Sequence, residues 1–206
     1  MALLSTAVAL FSGSYFTGFL PDMLTESYDV EEDNIGYFYL CLTIPSFVAC
    51  LILPVLFKKV PRRFQFVLAF IGCTIGTVLM GPTFMPDKLI IVCAGMGILG
   101  VVQTLSMIPS LPEAIDQTTV RFRIVHGVDE SLDSAINDTL SCLYTIVYCA
   151  SSLVSPIVGG KLFDMYGYKA TTQIIAIAMV AITAIYLVFN CGFSVFEKHK
   201  QHVEVL

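Results

Sequence analysis

Seven hydroxyl-bearing residues, Ser141, Tyr144, Thr145, Tyr148, Ser151, Ser152 and Ser155, recur at three- and four-residue steps inside an apolar stretch. At helical periodicity they share one face about 120° wide. Gln103, Ser106, Ser110 and Glu113 repeat the pattern on a face about 80° wide. Two uses are open for such faces. They hold helices together through small residues and interhelical hydrogen bonds, or they line a water-filled cavity. In the second use Tyr144, Tyr148 and Gln103 would line the cavity, and the tyrosine rings would attract an organic cation. Glu113 and Asp116 are the acids nearest an apolar segment on the basic side of the chain. An ionisable group within a membrane segment is a functional candidate, here for carrying a proton; an acid at the interface without a role is the alternative. Asp22 ends another apolar run, placed to cap a helix or to accept a cation.

Other chemistries find no support in the residues. The seven cysteines are scattered singly through apolar runs, with no CxxC and no paired histidine. Disulfide and metal spacing are therefore absent, and the cysteines read as small core residues. No nucleophile motif or acid–base dyad is present, so we expect neither an enzyme nor a cofactor or metal. No basic stripe interleaved with aromatics is found, which speaks against nucleic acid. His126 reads as a surface histidine. The Asn137-Asp138-Thr139 sequon falls on the expected cytosolic side, where it would go unused.

The elements that must carry these faces are apolar. Hydrophobic residues make up 56% of the 206-residue chain and charged residues 13%, where soluble domains carry about 25% charge. Six runs stand out, roughly Ala2–Leu20, Ile35–Phe57, Phe64–Gly81, Leu89–Ser110, Thr139–Gly160 and Thr171–Phe193. A helix needs about 20 mostly apolar residues to cross the hydrocarbon. A transmembrane barrel would alternate in polarity, and these runs do not. The chain therefore reads as all-α, a single six-span membrane bundle over residues 1–206. Met1 leads straight into the first run without a basic region, so that run reads as a span rather than a secretory signal. Pro45 and Pro54 predict an irregular second helix, and Pro109 and Pro112 predict a kink or an end in the fourth.

Lysine and arginine sort by side. Lys58, Lys59, Arg62, Arg63, Arg121, Arg123, Lys198 and Lys200 fall in the second, fourth and final links; the others hold only Lys88, Lys161 and Lys169. The positive-inside rule then places those three links and both termini in the cytosol. The vesicular and plasma membranes are not distinguished. Six acids lie in the opposite-facing link Pro21–Asn34: Asp22, Glu26, Asp29, Glu31, Glu32 and Asp33. That link is a solvated loop or a vestibule that concentrates cations.

Two motifs carry a family resemblance. Pro54-Val-Leu-Phe-Lys58-Lys59-Val-Pro61-Arg62-Arg63 resembles a degenerate copy of the major facilitator loop Gly-x-x-x-Asp-Arg-x-Gly-Arg-Arg. Pro54 and Pro61 stand for the glycines and Lys58 for the aspartate, so that aspartate's role does not carry over. Ser151-Ser-Leu-Val-Ser155-Pro156-Ile-Val-Gly159-Gly160 resembles the Gly-x-x-x-Gly-Pro-x-x-Gly-Gly element of a fifth helix, with Ser155 for a glycine. Together with Gly18-Phe-Leu-Pro-Asp22, Gly81-Pro82 and Ile108-Pro109-Ser-Leu-Pro112-Glu113, the order is similar to the carboxyl-terminal half of the vesicular amine and polyamine transporters, solute carrier family 18.

The resemblance implies a six-helix half of a major facilitator fold, itself a 3+3 inverted repeat. It implies proton-coupled exchange of an amine or polyamine by alternating access. Glu113 or Asp116 falls near an acid that is important in the fourth helix of that half, and Thr145 stands where the fifth helix would carry another. The superfamily has twelve spans, so the implied partners are the bilayer, protons, a small organic cation and a second half. That second half would be an amino-terminal half-transporter or another copy of this chain. A transport-inactive structural subunit, or a truncated fragment, is the alternative.

Overall fold

A computed structural model describes the backbone of residues 2–58, 60–81, 88–122 and 130–203, and the side chains of 6–58, 60–81, 88–119 and 134–188. Lys59, Pro82, Arg123 and His126 lie outside the described residues. All regular structure among the described residues is helical, as the non-alternating apolar runs predict. The long elements are α1 (Ala2–Ser14), α2 (Leu20–Tyr28), α3 (Ile35–Leu56), α4 (Arg62–Met80), α5 (Leu89–Phe122) and α6 (Glu130–Val203). Short 3-10 turns at Tyr15–Gly18 and Glu32–Asn34 lead into α2 and α3.

Four helical stretches are long and apolar enough to cross a membrane: Glu32–Leu56, Arg62–Met80, Leu89–Thr119 and Ser134–Val188. The last has 55 residues; at about 1.5 Å per residue it is more than twice the ~30 Å hydrocarbon thickness. It is not one rod. Gly167 sits at φ 74, ψ 170 and divides α6 into a first arm, 130–166, and a second arm, 168–203.

The first run departs from an unbroken Ala2–Leu20 helix. Helix α1 stops at Ser14, a 3-10 turn follows, and Pro21 enters in the first turn of α2. Proline fits a helix start, where its missing N–H would be unpaired anyway. In a continuous helix its ring would strike the Thr17 carbonyl. Instead that carbonyl faces the Tyr39 hydroxyl at 3.5 Å. Helix α5 departs in the other direction. It runs through Pro109 and Pro112 to Phe122, well past the expected end at Ser110. Each proline removes one backbone bond, a loss that long apolar helices tolerate when neighbouring groups take up the freed carbonyl.

Helix α5 is the central rod. It packs on α4, on α3 and on α1, while α1 and α4 also pack on α6. Small residues permit the approach: a Cβ on Gly95 would lie 2.9 Å from the Gly76 carbonyl oxygen. Against α3, Ser46 Oγ donates to the Gly100 carbonyl at 2.8 Å. Aromatic rings fill the wider seams. Phe19 stacks on Phe163 of the first arm of α6 with centroids 5.2 Å apart, and Phe70 meets Tyr186 of the second arm edge-on at 5.0 Å. Helix α3 is the least covered: 11% of its most apolar window is buried, against 44% for α4 and for α5.

Candidate functional site

The basic loop is built by a buried amide. Gln65, on the first turns of α4, donates from Nε2 to the Phe57 carbonyl at 3.2 Å and to the Val60 carbonyl at 2.9 Å. It ties the end of α3 to the start of α4 and so fixes the turn that carries exposed Lys58. Pro61 is the N-cap of α4 and supplies no side-chain bond. Arg62 and Arg63 follow in the first helical turn. Arg62 reaches across to Asp116 of α5 in an ion pair, and Arg63 Nε lies 3.9 Å from Glu113 Oε1. Gln117 Nε2 donates to the same Glu113 oxygen at 2.9 Å.

The two basic positions and the two acids, read separately from the sequence, thus form one charged cluster joining α4 to α5. The Glu113 side chain is 13% exposed, the Asp116 side chain 56%. Exposed ion pairs contribute about 0–1 kcal/mol each, so the cluster aligns the two helices more than it stabilises them.

One turn before Glu113, Ser110 donates to the Met107 carbonyl at 2.9 Å and lies beside the Tyr144 hydroxyl of α6. Tyr148 lies beside Tyr144 and is exposed, as are Ser141 and Thr145. Thr145 Oγ1 turns back to the Ser141 carbonyl at 2.9 Å. Deeper along the same face Ser151 and Ser152 are half-buried and Ser155 is fully buried. The hydroxyl stripe is therefore open at its start and closed at its end.

Its closed end is a packing seam. A Cβ on Gly159 would run into the Tyr15 carbonyl oxygen, and one on Gly18 into the Pro156 carbonyl oxygen. Gly160 is looser, its nearest neighbour being the Gly18 oxygen at 3.9 Å. Ser155 Oγ has no hydrogen-bond partner there. On α5 the Gln103 amide lies over α1: a Cβ on Gly13 would be 2.7 Å from Gln103 Cδ.

Gln103, Ser110 and Glu113 thus meet different neighbours of α5, namely α1, the first arm of α6 and α4, while Tyr144 and Tyr148 lie on that arm. Asp22 is elsewhere. It is exposed in the first turn of α2 and is not the N-cap, which is Phe19. Its charge suits a helix N-terminus. Sequence reasoning missed Gln65, whose signal was a lone amide in the apolar stretch Phe64–Phe70. Among the described residues no cluster of His, Cys, Asp and Glu side chains gathers to hold a metal ion. The arrangement supplies hydroxyl and amide hydrogen-bonding groups, two aromatic faces and a charged clamp between helices. No protein-family model and no curated protein matches this sequence.

Proposed function

We propose that the chain is a six-span membrane bundle acting as one half of a major facilitator-type transporter. With a second six-helix unit it exchanges an organic cation, an amine or polyamine, for protons by alternating access. The observation that carries this reading is the open start of the hydroxyl stripe. Ser141, Thr145 and Tyr148 are exposed on a helix apolar enough to cross a membrane, and polar side chains are costly against lipid. They need a partner surface or an aqueous cavity, and two opposed halves supply both.

The packing order supports the 3+3 arrangement. Helix α5 lies against both α3 and α4. Helix α1 likewise lies near both arms of α6, with Val8 and Phe11 sharing a pocket with Val154 and Met179. Exchanging α1 with α5, and α3 and α4 with the two arms, maps these pairings onto each other, as internal repeats do. In this reading Tyr144, Tyr148 and Gln103 line the cation path, Glu113 is the coupling acid, and the Arg62/Arg63 clamp holds the cytosolic ends of α4 and α5.

Labelled spermidine or monoamine uptake by proteoliposomes of the assembly from its native membrane tests this. Uptake should follow a pH gradient and be lost in Glu113→Gln. Uptake indifferent to both would refute the coupling. The engagement of Glu113 by Arg63 and Gln117 favours the second reading, a transport-inactive structural subunit. That reading predicts an intact assembly that takes up no amine.

A further inference from the structure

Helices α3 and α4 both pack on α5 but hardly on each other, which leaves a gap at the basic end of the bundle. The gap is a cavity of about 220 Å³, smaller than the roughly 300–1,000 Å³ sites that enclose a whole drug-sized ligand, so it has room for part of a larger molecule. Its floor is apolar, from Leu53 and Pro54 of α3 and Leu105 and Ile108 of α5; Lys58 and Arg62 stand at its polar edge. None of the lining residues is acidic. Arg62 uses Nη1 on Asp116, yet a guanidinium carries five N–H donors, so its fork retains donors for a second anion. The Gln65 amide is committed to the Phe57 and Val60 carbonyls, so the cations are the polar groups left to recognise a ligand.

An apolar trough closed at one end by two cations matches one kind of molecule, an amphiphile with an anionic head. We infer that this gap binds an anionic phospholipid of the surrounding bilayer, its phosphate between Lys58 and Arg62 and an acyl chain along the Leu53 and Ile108 floor. The inference rests on the membrane orientation proposed above, which puts this end at the cytosolic leaflet, but not on transport. Anionic lipids populate that leaflet, and basic pockets between transmembrane helices take their headgroups. A lipid seated here fills the gap between α3 and α4 and holds the otherwise poorly covered α3 against the bundle. Its phosphate also competes with Asp116 for Arg62, which links lipid occupancy to the charged clamp.

Native mass spectrometry of the full chain, purified in mild detergent and supplied with equal phosphatidylglycerol and phosphatidylcholine, tests the site. Phosphatidylglycerol should be retained preferentially. Lys58→Glu should weaken its retention by at least about fivefold, the factor expected for each basic residue near an anionic lipid surface. Lys88→Glu makes the same charge change on the opposite side and should not. Equal retention of the two lipids, or an equal effect of the two substitutions, overturns the proposal. So does displacement of the lipid by millimolar inorganic phosphate, which would make the site a free-anion site.

A photoreactive phosphatidylglycerol on the unaltered chain guards against a variant that does not fold. Adducts should map to 53–62 and 105–112, and adducts confined to other peptides overturn the assignment. Preferential phosphatidylglycerol retention in an assembly that moves no amine would leave this site standing while the transport reading fell.

Discussion

Arg62 and Arg63 occupy the first turn of α4, where the helix dipole disfavours positive charge by about 0.3–1 kcal/mol. Asp116 and Glu113, brought across from α5, offset that cost. The two sides of each pair are therefore unequal. We expect Arg62→Gln to be nearly neutral, because the lost pair and the relieved dipole oppose each other. Asp116→Asn leaves Arg62 unpaired at the positive end of the helix and should destabilise by up to about 1 kcal/mol, with the pair more than a third exposed and screened. Thermal unfolding of both variants in one detergent checks the order, and equal losses would remove the dipole argument. At the opposite seam Gly159→Ala drives a methyl group into the Tyr15 carbonyl and should cost about 1–3 kcal/mol, as over-packing does. Gly160→Ala has its nearest neighbour at 3.9 Å and should cost much less in the same assay.

Between the arms of α6 the chain turns on a single residue. Gly167 at φ 74, ψ 170 is in a region that residues with a Cβ scarcely enter. Nothing lies within 4 Å of a Cβ built there, so Gly167→Ala probes backbone strain alone. A loss of about 1–3 kcal/mol is expected. Gly36→Ala, in equally open space but inside α3, should gain up to about 1 kcal/mol from helix propensity; matching signs for the two would deny Gly167 its role. The helices themselves were legible because apolar runs of this length have few other conformations in which to satisfy their backbone. Their ends were not. Pro21 restarts a helix, although the Tyr39 hydroxyl faces the Thr17 carbonyl it leaves free, and Pro109 does not stop one, so a proline alone does not tell a helix start from a tolerated interior position. The polar faces of α5 and α6 could be read from periodicity, but not the Ser110–Tyr144 meeting or the closing of the stripe at Ser155. Likewise the basic loop and the acids were each visible, while Arg62 and Asp116 lie 54 positions apart. Spacing specifies which face a residue is on, and leaves open which helix will cover it.

Taken whole, the bundle has two kinds of uncovered surface. Leu51, Ile52, Val55 and Leu56 of α3 are apolar and exposed, and contiguous apolar surface calls for lipid or a protein neighbour. Ser141, Thr145 and Tyr148 are polar and exposed on the first arm of α6. One solvent cannot suit both. Hydrocarbon suits the first and is costly for the second, so the two surfaces should meet different media in the working assembly. A cysteine introduced at either place, in a full chain whose native cysteines are replaced by serine or alanine, reads the medium directly. A membrane-impermeant, positively charged thiol reagent needs water to reach its target. Thr145→Cys should react readily and be protected by added amine if the stripe lines the cation path. Leu51→Cys should react at least about tenfold more slowly, since a thiolate is scarcely formed in hydrocarbon. Fast modification of Thr145→Cys without amine protection would keep the aqueous face and remove the substrate from it. Silence at both positions would mean that the hydroxyls are covered by protein, and the stripe would then be a subunit interface whose serines and tyrosines bond to a neighbouring helix.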